Sequence, residues 1–388
     1  MSTARERHQK RRQTRTSMAS RPRDARQVQN GDGFKMPDVR LPFPRWFLLI
    51  PLALIIIVLV VLVLGLINPP EAQTAPNAIW LDSQTTHRTV TDDELSAWVQ
   101  DWRENQIGTV YVFVSSLKPD NTWSGILTQT NRIQEVEPLV SNLRERIQGL
   151  YPDMQIFAWI EVVADTPEYR LNSPQVQTLV ADLSARLINT LNFEGVFLDV
   201  KPLFDGNEDL LVLLRKVRGS IGLDTPLAVS VPADLTPTGT DLVLPTFIAP
   251  GTVWSSEYKQ RVSLQADQII VTAYNSYITD PVGYIEWVSY QVTAFTQALS
   301  EMDTTSQILI SVPNYTLNGV ALNPSPHDPR VESMAGALDG VIRALPNLTT
   351  QQRTRLQGVA IFTDVPLTDN DWAIFRDKWL NAPKTAQP

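Results

Sequence analysis

Four carboxylates follow apolar runs closely enough to stand at the ends of buried strands: Asp82 after "NAIWL", Glu161 in "MQIFAWIEVV", Asp199 in "FEGVFLDVKP" and Asp364 after "QGVAIFT". Two carboxyl groups about 5–9 Å apart across a cleft suffice for acid–base hydrolysis of an acetal, one giving a proton and the other acting as base or nucleophile. Lys201, two residues after Asp199, changes what that carboxylate can do. Residues two apart in a strand share a face, so Phe197, Asp199 and Lys201 point the same way, each about 6.6 Å from the next at ~3.3 Å per residue. Opposite charges stabilise each other's charged forms, which predicts an Asp199–Lys201 ion pair. A lysine acting as a Schiff-base nucleophile needs a depressed pKa, and Asp199 works against it.

Flat rings with polar edges suit binding sites. Trp123, Trp254, Tyr274, Tyr277 and Tyr315 fall in loops or at strand ends and are candidate ligand-binding residues, whereas Trp98, Trp102, Trp287 and Trp379 fall in helical patterns and are expected in the core. The chain has no cysteine, which removes disulfides, thiolate metal sites and thiol nucleophiles. His8, His87 and His327 show no metal-ligand spacing such as HExxH. No Gly-rich phosphate loop follows the first strand. No metal and no cofactor is expected.

The elements that must position these residues alternate. Strand-like runs lie at 77–83, 108–116, 154–163, 193–202, 226–233, 268–276, 307–315 and 357–365. Most are continuously apolar, as in parallel strands covered on both faces. Helical periodicity fills most gaps; "TDDELSAWVQDWRENQ" opens on Thr91 with Glu94 three residues on, a capping-box pattern. Eight β–α units over about 310 residues predict an α/β protein of the (β/α)8 TIM-barrel type. Residues 234–267 form the longest and least periodic connection, with Trp254 and Tyr258 expected to be exposed over the C-terminal face.

Charge is split along the chain. Residues 1–45 carry twelve Arg or Lys against four acids, while the rest carries 21 basic and 37 acidic groups. Between them lies "WFLLIPLALIIIVLVVLVLGLI", 46–67, whose uncharged 22 residues make a helix of about 33 Å, long enough for a ~30 Å hydrocarbon core. The basic flank precedes it, so the N-terminus is expected in the cytoplasm and the acidic domain outside. The run is too long and too far from the start for a signal peptide. The expected organisation is a disordered basic tail (1–45) near anionic lipid rather than on nucleic acid, a single transmembrane helix (46–67), a Pro-rich linker (68–76) and an extracytoplasmic barrel (77–383).

The fourth strand also resembles a known motif. Chitinase-like family-18 glycoside hydrolases carry DGxDxDxE there, and "EGVFLDVK" matches in spacing: Glu194 stands at the first acid, Gly195 at the glycine, Phe197 at the second acid, Asp199 at the third and Lys201 at the terminal Glu. The local form is also similar to the "GVxLDIEP" of related bacterial barrels. "TAYN" on strand six keeps the family's tyrosine as Tyr274 and has Asn275 for its acid, and Phe362 falls where the family often has Trp. In that family the terminal Glu protonates the glycosidic oxygen while the substrate's own acetamide attacks, a substrate-assisted scheme. The resemblance implies a glycosidase-like barrel without the catalytic Glu, since a lysine cation beside a developing oxocarbenium ion has the wrong sign. The function it implies is non-hydrolytic recognition of a cell-wall or other amino-sugar polymer. Hydrolysis through relocated carboxylates, Glu161 with Asp199 or Asp82, is the alternative, and an envelope scaffold is a third.

Overall fold

In the computed structural model eight parallel strands close on themselves in sequence order, each hydrogen-bonded to the next and β8 to β1. They are β1 Asn77–Leu81, β2 Ile107–Leu117, β3 Gln155–Val163, β4 Gly195–Lys201, β5 Leu227–Pro232, β6 Gln268–Thr272, β7 Gln307–Asn314 and β8 Leu356–Thr363. The helices that pack around them are α1 Asp92–Glu104, α2 Ile133–Leu150, α3 Pro174–Asn189, α4 Glu208–Ile221, α5 Ser256–Ser263, α6 Pro281–Ser300, α7 Met334–Ala344 and α8 Asp369–Phe375. The structure describes residues 75–125, 133–164, 169–235, 253–315, 328–363 and 366–382. The basic tail, the apolar segment 46–67, most of the linker and Asp364 lie outside them; among the described residues no helix is long and apolar enough to cross a membrane.

The (β/α)8 architecture expected from the alternation is present, and the strands are buried on both faces for the reason their sequences are apolar throughout. The outward side chains of β2–β4, such as Val112, Ile160 and Leu198, meet the apolar stripes of the helices. Each fully buried aliphatic side chain contributes about 1.5–3 kcal/mol of transfer free energy. The capping box at α1 is formed, with Thr91 accepting from Glu94 N and the Glu94 carboxylate accepting from Thr91 N.

Register sets what reaches the mouth. β3 and β4 pair without a break from Phe157↔Gly195 through Glu161↔Asp199 to Val163↔Lys201. β1 and β8 pair only at Ala78↔Ala360 and Ile79↔Ile361. Below that short ladder the buried Asn77 does the joining. Its Oδ1 accepts from Val359 N at 3.2 Å and from Trp379 Nε1 at 2.9 Å, and its Nδ2 donates to Gln106 O at 3.2 Å.

Two expectations are corrected here. β6 stops at Thr272 instead of running to 276, because Asn275 and Tyr277 take left-handed φ of 56° and 61°, which ends extended pairing. Trp254 and Tyr258 are not exposed: each is 2% accessible. Asp234 pulls both ends of that segment together, accepting from Trp254 N at 2.9 Å and from Lys259 Nζ at 2.5 Å. Lys259 also donates to Trp254 O and lies over the Phe295 ring, 4.7 Å from its centroid. The two rings, 4.6 Å apart, are buried beside this ion pair.

Candidate functional site

Alternate residues of β1–β4 fill the barrel with rings: Trp80, Tyr111, Phe113, Phe157, Trp159 and Phe197. The opposite wall supplies small or aliphatic groups, Ala228, Ile270, Leu309 and Ala360, which leaves room for them. Trp80 stacks on Phe197 at 5.7 Å and meets Phe362 edge-on at 4.9 Å, while Tyr274 stacks on Phe362 at 4.6 Å. These rings form an apolar floor beneath the mouth. Trp80 Nε1 and Trp159 Nε1 are buried without a hydrogen-bond partner among the described residues.

The charged groups of the mouth follow from the register. Asp199 and Glu161 are direct cross-strand neighbours, so both carboxylates emerge above the floor on the same side. Lys201 Nζ lies 2.7 Å from Asp199 Oδ2 and 4.0 Å from Glu161 Oε1. Ser230 Oγ donates to Asp199 Oδ1 at 2.5 Å. Both oxygens of Asp199 are therefore engaged. Burial pushes the Glu161 carboxyl above its ordinary range, and Asp199 adds to this, while Lys201 and Ser116 pull it down. For Lys201, burial opposes the charge, but Asp199, Tyr274 and Glu161 outweigh it and raise the ammonium well above its usual value. The ion pair expected from spacing is formed. At neutral pH Lys201 is a fixed cation and hydrogen-bond donor with no proton to release.

The first two motif positions serve the frame instead. Glu194 pairs with Arg144 of α2 and accepts from Ile156 N at 3.2 Å, tying the foot of β4 to β3. A Cβ at Gly195 would stand 2.5 Å from the Phe157 ring, so the glycine makes room for an interior aromatic. Phe197, fully buried, belongs to the floor.

The remaining candidates divide. Asp82 caps the single helical turn Ser83–Thr86, accepting from Thr85 N at 3.0 Å. Trp123 is half-buried in the β2–α2 connection, bridged to Leu117. Arg170 secures that loop by donating to Leu117 O, Asn121 Oδ1 and Val163 O. Trp254 is part of the buried Asp234–Lys259 cluster and presents no ring to solvent. Tyr274 and Phe362 reach the floor's upper edge, and Tyr315 lies 6.2 Å from Phe362. The structure thus brings together Glu161, Phe197, Asp199, Lys201 and Tyr274.

One residue of this region has no signal in the local sequence. Glu332, fully buried just before α7, accepts from Asn275 N at 2.8 Å, Ser276 N at 2.7 Å and Ser276 Oγ at 2.5 Å. It holds the left-handed turn that follows Tyr274. Ser311 Oγ, accepting from Ala273 N, and Tyr284, donating to Ala273 O, fix the other side of the same turn. Burial raises the Glu332 carboxyl to about 7 against the pull of those donors.

No family model and no curated protein matches the sequence. Among solved structures, the barrel is similar to a GH18 chitinase from Pseudoalteromonas aurantia: TM-score 0.51, 14% identity, 78% of this chain and 98% of that one covered. The spore cortex-lytic enzyme SleL of Bacillus megaterium QM B1551 gives 0.48 at 10% identity over 78% and 73% of the two chains. A GH18 chitinase from Cycas revoluta in complex with (GlcNAc)3 gives 0.46 at 12% identity over 78% and 99%. The first of these likenesses shows the fold, the closed (β/α)8 barrel.

Proposed function

We propose that this chain is a membrane-anchored, extracytoplasmic glycosidase-like barrel that recognises an amino-sugar polymer of the cell surface without cleaving it. The observation that carries the reading is Lys201 Nζ at 2.7 Å from Asp199 Oδ2, at the motif position where the resembling family keeps its proton donor. The GH18-like fold supports the ligand class, and the ring-lined mouth is chemically suited to a saccharide. The apolar segment 46–67 supports the anchor. Tethering would hold such a binder at high effective concentration beside wall polymer.

One observation favours a second reading, hydrolysis by a relocated acid. Glu161 is the carboxyl at the mouth whose affinity for a proton is raised by burial, which is what a general acid needs. Against it, Asp199 is occupied on both oxygens and Asp82 is a cap, so neither stands ready as its partner.

The test is mass-spectrometric detection of products when the full-length protein in detergent is incubated with chito-oligosaccharides or peptidoglycan fragments, beside Glu161→Gln. Absence of products together with measurable affinity for either glycan supports recognition. Products that vanish in the variant establish a hydrolase. Neither products nor affinity would leave the scaffold reading.

A further inference from the structure

Two carboxylates stand at the mouth, and they are not equally spent. Asp199, with 4% of its side chain exposed, has Lys201 Nζ at 2.7 Å on one oxygen and the Ser230 hydroxyl at 2.5 Å on the other. Glu161 is 28% exposed and lies 4.0 Å from the same Nζ, beyond hydrogen-bond reach. Among the described residues its hydrogen-bond donor is the Ser116 side chain. An ionised carboxylate offers about four lone-pair sites, so Glu161 keeps bonding capacity that a ligand donor can reach.

Charge decides which donor gains most. The titratable groups that face Glu161 are Asp199 and Lys201 on β4 and Tyr274 beyond the end of β6. Tyr274 is a phenol that burial keeps neutral. Asp199 and Lys201 cancel as a contact pair, which leaves the Glu161 charge in excess. A ligand carboxylate or phosphate would add to that excess. A neutral N–H or O–H can bond to Glu161 but leaves its charge unmatched. An ammonium does both, and bonds between charged groups are about twice as strong as neutral ones. Lys201 does not shut out a second cation, because its own charge is already met by Asp199. A floor built of Trp, Tyr and Phe rings is also a better neighbour for a cation than an aliphatic one. The wider field has the same sign: residues 46–388 carry 37 acidic groups against 21 basic ones, which steers positive ligands towards the domain.

We propose that the mouth selects amino sugars whose nitrogen is a free ammonium over their N-acetylated counterparts, with Glu161 as the counter-ion that makes the choice. The proposal rests on the glycan reading above and names the class of amino sugar within it.

The experiment is titration calorimetry on the full-length protein in detergent micelles, at low and at high salt. The probes are chitotriose with all three amines free and tri-N-acetylchitotriose, equal in length. A pH of about 6.5 keeps the amines protonated, since such groups titrate near 8. The free-amine trimer should bind about tenfold tighter or more, the scale of one hydrogen bond between charged groups, and salt should narrow the gap. Glu161→Gln should bring the two affinities together, whereas Lys201→Met, which removes the competing cation, should widen the gap. A preference that persists in Glu161→Gln would assign it to the general acidity of the surface and overturn the proposal. Equal or tighter binding of the acetylated trimer by the wild type would overturn it too, while leaving glycan recognition in place. Binding of neither trimer would overturn both.

Discussion

Glu332 and Ser276, 56 residues apart in sequence, are joined twice through a single carboxylate oxygen, which accepts the Ser276 main-chain N–H at 2.7 Å and its hydroxyl at 2.5 Å. The acid so placed shapes a turn that carries no acid itself. Tyr274 owes its position above the aromatic floor to a group contributed from just before α7.

That arrangement has a pH signature. The Glu332 carboxyl is raised to about 7 from the ordinary 4.5, chiefly by burial, so the folded state holds this proton more tightly than the unfolded chain. The stability it contributes is complete below about pH 4.5 and is lost as pH rises through about 7. A difference of that size corresponds to roughly 3 kcal/mol. Thermal melts between pH 4.5 and 8 should show the wild-type Tm falling across this window. Glu332→Gln, which cannot titrate, should remove that part of the slope while lowering Tm at acid pH through the lost acceptor.

Lys201 holds two carboxylates together. Lys201→Met should cost about 1–2 kcal/mol at neutral pH, below the ~3–5 kcal/mol of a fully buried pair because about half of the Lys201 side chain is exposed. Lys201→Glu should cost more, placing a third acid beside Glu161 and Asp199. Its carboxyls are raised by one another, so its deficit should shrink as pH falls towards 4. Chemical denaturation at pH 4.5 and 8 separates these outcomes; a Lys201→Glu deficit independent of pH would count against the packing described.

Placing an acid at position 197, where the resembling motif has one, is a different matter. Phe197 is fully buried, 4.5 Å from Tyr111 and 5.7 Å from Trp80. Phe197→Asp would remove the ring and bury a carboxylate among indoles, a loss expected to exceed about 4 kcal/mol. Soluble yield and denaturation midpoint would show it. The double variant Phe197→Asp, Lys201→Glu should fare worse than either single one.

The Lys259–Asp234 pair, 4% and 1% exposed, is the deepest of the described ion pairs. Lys259→Met should cost about 3–5 kcal/mol by leaving Asp234 uncompensated. Adding Asp234→Asn should recover part of this, because the buried charge is then gone while the acceptor for Trp254 N remains. A double-mutant cycle by urea denaturation measures the coupling, expected at 1 kcal/mol or more.

How far the sequence disclosed this molecule depended on whether partners lay close along the chain. Apolar runs fixed eight strands because burial on both faces leaves no choice of residue type, and the parity of Phe197, Asp199 and Lys201 was enough to place an ion pair above a ring. Trp254 misled because its neighbourhood is rich in turn residues, and the groups that hold it inside include Asp234, twenty residues earlier, which pairs with the Lys259 that donates to its carbonyl. Glu332 was silent for the same reason, its three donors lying 56 and 57 residues away. The motif glycine, Gly195, was visible in the sequence, but its purpose was not. The ring it clears space for belongs to β3.

Asn77 has a consequence for how the ring is kept shut. Its side-chain oxygen Oδ1 accepts from Val359 N across 282 residues of chain, and the logarithmic part of the entropy for closing such a loop is about 5 kcal/mol. The two-residue ladder beside it is the least hydrogen-bonded join described in the wall. The barrel is therefore built as a bracelet with a clasp: seven joints lie between successive units, and the eighth joins the last unit to the first. Local opening is cheapest there, so amide hydrogens of Ala360 and Ile361 should exchange with solvent before those of Leu198 and Asp199 in the centre of the band.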